Sequence, residues 1–448
     1  MKTPLLVITA FIALASQLTL AAEKPAISAE QDHQQMLKQL GITSIRRGAD
    51  GNPSSPHAAN YDESKANGNM LSLPPLLSMA NGDPVASAQQ WWQQRRPELL
   101  ELFDKEIYGL TPKQLPSVEW QITHTEESEI AGIKTITENI SGRVDNRDYP
   151  ALEVAIKLSI TRPKQTKQAV PLILQHSFDP ALMARFTKNF SEQQLKEFRG
   201  GDPTWQEQII RKGWAYAELI STSVQADNGA GLRQGIIGLK NKGQARKRGD
   251  WGTIKAWSWA AGEALNYIET RKSIDANKVA IAGHSRFGKT ALVTMAYDQR
   301  FAAAFISSSG EGGAKLWRRN FGEQIGNIAG SGEYHWVAGN FIRYAGPLTV
   351  TDLPVDAHHL IALCAPRPVF ISSGTEGDQW VDPKGMYLAA ELTRPLYQLL
   401  GKKPLSGTDY PKVGKGLLEG DIAWRQHNGG HTPGPNWKYF LQFLDRSF

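Results

Sequence analysis

The segment Lys278-Val279-Ala280-Ile281-Ala282-Gly283-His284-Ser285-Arg286-Phe287-Gly288-Lys289 restricts the fold more than any other stretch of the chain. An apolar run leads straight into Gly283-His284-Ser285, and a helical pattern follows over Thr290–Tyr297. A strand that turns so abruptly into a helix has no room for a β-carbon at Gly283, and it leaves the Ser285 hydroxyl exposed above a sheet. Apolar runs bounded by turns recur at Val170–Leu174, Trp214–Ile220, Ala302–Ser307 and Pro368–Ser372, several separated by helical patterns such as Ile254–Ile268. Buried strands alternating with helices read as a mostly parallel sheet covered on both faces, a three-layer α/β sandwich. Phe287 stands where the usual turn carries a second glycine, and Gly288 follows it.

Upstream the patterns differ. Trp91, Trp92, Leu99, Leu102, Phe103 and Ile107 fall at helical spacing over Ala88–Tyr108, and Gly109 ends that helix. From about 115 to 160 the alternation predicts three antiparallel strands, carried by Val118, Trp120 and Ile122, then Ile133, Thr135 and Thr137, then Leu152, Val154, Ile156 and Leu158. Residues 23 to about 90 are polar and rich in Pro, Asn and Ser, and read as an irregular arm. No repeat or linker interrupts the chain. The expected organisation is a secretory signal over 1–22, an N-terminal extension over 23–110 packed on the domain, and one α/β domain over 111–448.

The signal rests on Lys2, the short apolar run Leu5–Leu14 and the small residues ending at Ala22. The expected product is exported, to the periplasm or beyond the cell, with no integral membrane segment in the mature chain. The 448 residues are 41% hydrophobic without low-complexity tracts, which excludes a disordered or fibrous protein. A net charge of +6 spread along the chain supports solubility, with no block of like charge to bind nucleic acid. The single cysteine, Cys364, permits no intrachain disulfide and reads as a core residue. No paired-His helix motif and too few thiols are present for a metal site, so neither metal nor other cofactor is expected. A monomer is expected.

A serine nucleophile needs a base and an oxyanion site. On an α/β-hydrolase fold the chain order is Ser, acid, His. Asp378 follows the late strand Pro368–Ser372, where this fold places the acid. His431 follows Gly429-Gly430 in a loop before the amphipathic C-terminal helix Trp437–Leu444, and His427 competes with it as the base. His284 flanks the serine but points away from the tip of the turn, and His358 and His359 sit in an apolar run. All three read as packing residues.

These residues resemble a known family. Gly283-His284-Ser285-Arg286-Phe287-Gly288-Lys289 is similar to the Gly-x-Ser-Arg-x-Gly-Lys signature of the glucuronoyl esterases, α/β-hydrolases that cleave the ester between 4-O-methyl-glucuronic acid on xylan and lignin alcohols. Further matches include Asn60-Tyr61-Asp62-Glu63, Arg95-Arg96-Pro97-Glu98, Ser309-Gly310-Glu311-Gly312-Gly313-Ala314, Arg318-Arg319-Asn320-Phe321-Gly322-Glu323, Asp378-Gln379-Trp380-Val381-Asp382-Pro383 and Gly429-Gly430-His431. The likeness spans nearly the whole mature chain and favours the bacterial branch.

The resemblance implies Ser285 as nucleophile, His431 as general base, and Arg286 as oxyanion donor through its backbone N–H and guanidinium. It implies Lys289 and Glu323 on the uronate hydroxyls, and Trp380 near the 4-O-methyl group. Fungal members carry the triad glutamate at the position of Ser308, so the acid must lie elsewhere. Asp378 is the choice, with Glu311 in reserve; the plainer reading of Glu311 is a loop carboxylate paired with a nearby Lys or Arg. The expected partner is a glucuronoxylan or lignin–carbohydrate ester. Two alternatives stand beside this: an acetyl xylan or feruloyl esterase on the same fold, and a non-catalytic polysaccharide-binding protein.

Overall fold

The computed structural model describes residues 27–407 and 409–448, so the signal expected over 1–22 lies outside the described residues. Among the described residues the strands are β1 (Val118–Ile130), β2 (Ile133–Val144), β3 (Ala155–Pro163), β4 (Val170–Ser177), β5 (Ala215–Ile220), β6 (Ile274–His284), β7 (Ala303–Ser307), β8 (Val369–Ser373), β9 (Gly416–Leu417) and β10 (Ile422–Gln426). They form one sheet in the order β1-β2-β3-β5-β4-β6-β7-β8-β10-β9. From β5 to β10 every neighbouring pair is parallel. β1, β2 and β3 extend one edge antiparallel, and β9 closes the other. The fold is that of an α/β-hydrolase.

The parallel strands are apolar because both their faces are covered. Every residue of β7 and β8 is buried. On one face Ile281, Ile306 and Ile371 meet Ile254, Trp257, Ala261 and Leu292 from the helices Thr253–Ile268 and Arg286–Tyr297. On the other, Ile173, Ala280, Phe305 and Phe370 pack against Ile209 and Ile210 of Trp205–Arg211, and against Trp437, Phe440 and Leu444 of Trp437–Leu444. Parallel strands direct all their carboxyl ends to one edge of the sheet, and ligand sites of such folds form there.

The N-terminal segment is more ordered than its composition implies. Ala29–Leu40 is a helix with a capping box at Ser28 and Gly41 in the left-handed region at its end. Its apolar stripe is narrow, Met36 and Leu37, and is completed by buried Asp32 and His33. Asp32 accepts a bond from the Tyr334 hydroxyl, and His33 Nε2 lies 2.9 Å from the Ala329 carbonyl. A stripe half made of polar groups shows no periodicity until its partners are known. The helix expected at 88–108 is continuous but contains two π-helical turns, Trp91–Arg95 and Asp104–Tyr108.

Phe305 of β7 is 1% exposed, and its ring lies 5.3 Å from Phe370, 5.0 Å from Trp437 and 4.9 Å from Phe440. Phe305→Ala is expected to destabilise the fold by about 3–5 kcal/mol, the usual cost of emptying an aromatic core position. Urea unfolding measures it, and an unchanged midpoint would contradict this packing.

Candidate active site

β6 ends at His284 and the next helix begins at Arg286, so Ser285 alone makes the turn, at φ 58° and ψ −126°. A non-glycine residue holds such a backbone only when its surroundings fix it. Here the Ser285 N–H donates to the Ser307 carbonyl of β7 at 2.9 Å. A β-carbon on Gly283 would meet the Phe287 carbonyl oxygen at 2.0 Å, and one on Gly288 would meet the Ser307 oxygen at 2.7 Å. Gly288 thus provides the close approach to β7. Phe287 is released to pack in the core, its ring 5.3 Å from Trp257.

His431 Nδ1 lies 2.6 Å from Asp378 Oδ1. Asp378 is fully buried, and its second oxygen accepts from the Ser308 hydroxyl at 2.8 Å and the Gly374 N–H at 2.5 Å. A buried carboxylate needs such partners to stay charged. Ser308, at the place where the resemblance puts a glutamate in fungal members, is therefore a hydrogen-bond donor to the acid on the next loop. A β-carbon on Gly374 would lie 2.2 Å from the Gly430 carbonyl, so this glycine lets the His431 loop close over β8. Glu311 is turned away: its carboxylate pairs with Lys315, which also donates to the Arg319 carbonyl at 3.0 Å. Burial pushes Glu311 up to about 8, with Lys315 pulling the other way.

The remaining histidines separate cleanly. His427 uses both ring nitrogens on its own loop, Nε2 at 2.9 Å from the Thr432 carbonyl and Nδ1 accepting from the Gly429 N–H at 2.9 Å. It shapes the loop that presents His431. The His284 ring lies 4.3 Å from that of His431, tilted by 50°, and burial holds its pKa well below the usual value. A neutral His284 sets no like charge against an imidazolium at His431. His358 and His359 are buried, as their apolar surroundings imply.

Arg286 opens its helix, so its N–H has no partner within that helix. Its guanidinium pairs with buried Asp227 and sits 5.3 Å from the centre of the Trp336 ring. Asp227 also accepts from Trp336 Nε1 at 2.7 Å and lies 2.9 Å from His335 Nε2. Burial alone would raise Asp227, but Arg286 and then His335 and Trp336 hold it well below the usual carboxylate range.

Lys289, one helical turn on, points to the same side. Its ammonium donates to the Ser309 carbonyl at 2.9 Å, the Glu311 carbonyl at 2.6 Å and Glu323 Oε2 at 3.1 Å. An ammonium has three donors, so a ligand hydroxyl reaching Lys289 shares or displaces one of these acceptors. Glu323 Oε2 also accepts from the Glu311 N–H at 3.0 Å, and the Glu323 N–H donates to the Trp380 carbonyl at 2.8 Å. The structure therefore joins Lys289, Glu323 and Trp380. On the other side of Ser285 lies a cavity of about 540 Å³ lined by Ser285, Arg286 and His431 and by apolar side chains of residues 178–205, with none of Lys289, Glu323 or Trp380 in its wall. Among the described residues no group of three or more His, Cys, Asp or Glu is placed to hold a metal ion.

Asp227, Glu333, His335 and Trp336 were not read from the sequence. Asp227 follows the carboxyl end of β5, a position that could have drawn notice. The other three lie at and within the single 3-10 turn Tyr334–Trp336, too short to show a pattern. Glu333 Oε2 is buried without a hydrogen-bond partner. Burial first, then the Glu323 charge, pushes its pKa from 4.5 up to about 8, against the pull of Lys289 and Arg286. Between those values the folded chain keeps a proton that the unfolded chain has released, so this group lowers stability as pH rises through that window. Glu333→Gln is expected to gain about 2–4 °C in melting temperature relative to the parent between pH 5 and pH 8. Scanning calorimetry at both values checks this; parallel curves would contradict it.

Residues 245–401 match the family model described as glucuronyl esterase, fungi. A carbohydrate esterase from an unidentified prokaryote is 34% identical over 413 residues, 87% of this chain and 92% of its own length. The solved structure of a glucuronoyl esterase of carbohydrate esterase family 15 from Teredinibacter turnerae is 50% identical, with a TM-score of 0.89 over 93% of this chain and 99% of its own. That of a glucuronoyl esterase from Solibacter usitatus is 30% identical, with a TM-score of 0.74 over 86% of this chain and 99% of its own. With the elbow, the Asp378–His431 pair and the Lys289–Glu323 pair in place, the chain belongs to the glucuronoyl esterases, a family of carboxylic ester hydrolases.

Proposed function

We propose that this chain hydrolyses esters of (4-O-methyl-)glucuronic acid in glucuronoxylan–lignin complexes through an acyl-enzyme on Ser285. The single observation that carries the reading is the Asp378–His431 hydrogen bond at 2.6 Å, with His431 lining the same cavity as a serine held at φ 58°. His431 takes the Ser285 proton as Oγ attacks the uronate carbonyl, then gives it to the departing alcohol. Asp378 orients the ring and stabilises its charged form without taking the proton. Oxyanion charge falls to the Arg286 N–H and guanidinium, a type of donor worth about 3–4 kcal/mol. Water, deprotonated by His431, then attacks the acyl carbonyl and releases the uronate.

Lys289 and Glu323 take the sugar hydroxyls, and Trp380 gives an apolar face to the 4-O-methyl side. The alcohol then leaves toward the cavity beyond His431, whose apolar wall suits an aromatic alcohol. Export, read from residues 1–22, fits a polymeric substrate met outside the cytoplasm.

Ser285→Ala is expected to lower hydrolysis of benzyl glucuronate at least about 10³-fold with an unchanged circular dichroism spectrum. Activity near the parent value would end the acyl-enzyme reading. Asp378→Asn should cost about 10³–10⁴-fold, because the amide favours the wrong tautomer of His431. Lys289→Ala should narrow the preference for the glucuronate ester over its galacturonate epimer, measured as a ratio of kcat/KM. Faster turnover of acetylated xylan than of methyl glucuronate would favour the acetyl esterase alternative.

A further inference from the structure

The cavity beyond His431 is not uniformly apolar. Its roof comes from two short helices, Pro180–Thr187 and Glu192–Phe198, which bury no residue in the core of the fold. Met183, Phe190, Leu195 and Phe198 face the cavity, and Phe198 is 45% exposed. Polar residues of the sheet also line it, among them Gln175 of β4 and Glu218 of β5. Register pairs Gln175 with both Glu218 and Ala282, so all three share one face of the sheet, level with a point three residues before Ser285. Gln175 lies one strand spacing from β6 and Glu218 two, about 5 and 10 Å across the sheet.

Neither polar group is saturated by the protein. Gln175 Nε2 donates to the His176 carbonyl at 3.0 Å, which fixes the orientation of the amide, and leaves Oε1 buried without a partner. Glu218 Oε1 receives one long bond, 3.4 Å from the Ser177 hydroxyl. Burial raises the Glu218 pKa, and Ser177 only partly offsets this. An acceptor and a carboxyl at the far end of an aromatic-walled cavity are the chemistry that pairs with a hydroxyl on a flat apolar body.

We infer that Glu218 and Gln175 form a hydrogen-bonding end to the alcohol-side cavity and select aryl alcohols that carry a ring hydroxyl remote from the ester oxygen. The ring lies between Phe190, Phe198 and the sheet. Its hydroxyl donates to Gln175 Oε1 or the Glu218 carboxyl, while the ester oxygen stays beside His431. A ring on a short alkyl tether has this reach. The inference rests on the proposed function and adds a specificity determinant on the leaving-alcohol side.

The test compares two glucuronate esters that differ by one group, 3-(4-hydroxyphenyl)propyl and 3-phenylpropyl, with methyl glucuronate as reference. The parent protein is expected to favour the hydroxylated ester about five- to tenfold in kcat/KM, the worth of one net hydrogen bond. Glu218→Leu and Gln175→Leu should each bring that ratio toward one, and Glu218→Gln should retain part of it. The ratio is internal to each variant, so it does not depend on how much of a variant is folded. A parent ratio near one, with methyl glucuronate turned over, overturns this inference and leaves the proposed function standing. A ratio unmoved by both leucine variants overturns it as well. No turnover of any glucuronate ester would overturn the proposed function and this inference with it.

Discussion

Asp378 ties together three strand ends of the site. Its two carboxylate oxygens accept from Ser308 just past β7, from Gly374 just past β8, and from His431 on the loop after β10. A carboxylate taken fully out of water is costly unless its lone pairs are filled. Here backbone, hydroxyl and imidazole fill them, and in doing so they fix the position of His431. The strained Ser285 turn depends on the same neighbourhood, because its N–H is held by the Ser307 carbonyl one residue before Ser308. Base and nucleophile are thus positioned by adjacent residues of one strand end.

Around that centre, in the proposed binding mode, the two sides of the ester meet different environments. Toward the sugar lie charged groups that neutralise one another, Arg286 with Asp227 and Lys289 with Glu323. Buried ion pairs of this kind add little net stability, and their value here lies in holding donors and acceptors at fixed points before a ligand arrives. Trp336 lies 5.3 Å from the Arg286 guanidinium and 5.5 Å from the Lys289 ammonium, ring centre to cation, and so contacts both cations. Toward the alcohol the wall is aromatic and aliphatic, built from short helices that add nothing to the core. The sheet is shared between the two sides, and the roof over the alcohol side is the least embedded part of the site.

The parallel strands were legible because burial on both faces writes itself as unbroken apolar runs. The elbow was legible because strand, glycine, serine and helix succeed one another without a gap. Asp378 and His431 stood out by their places, one just past a late strand and the other just past a glycine pair. Strand β10 was not legible, since Ile422–Gln426 ends in Arg425 and Gln426, and Arg425 is accommodated by bonds to the Gly414 and Pro435 carbonyls and Asn436 Oδ1 and by stacking 3.7 Å from the Tyr439 ring. The helix Ala29–Leu40 stayed hidden because half its buried stripe is polar. Asp227 and Glu333 are single carboxylates whose meaning depends on Arg286 and Glu323, dozens of residues or a turn of loop away. Pattern reports what is buried in water-free layers; it is silent on polar groups that acquire partners only through the fold.

The central claim is that Ser285, poised by the Asp378–His431 pair, is the residue that carries the acyl group. Labelling the protein with a serine-reactive phosphonate, with peptide mass spectrometry and a parallel assay on methyl glucuronate, tests it most directly. One label per chain on the peptide containing Ser285, with hydrolysis lost in proportion to labelling, is the expected result. Full hydrolysis after Ser285 is labelled, or loss of hydrolysis with the label on another residue, would contradict it.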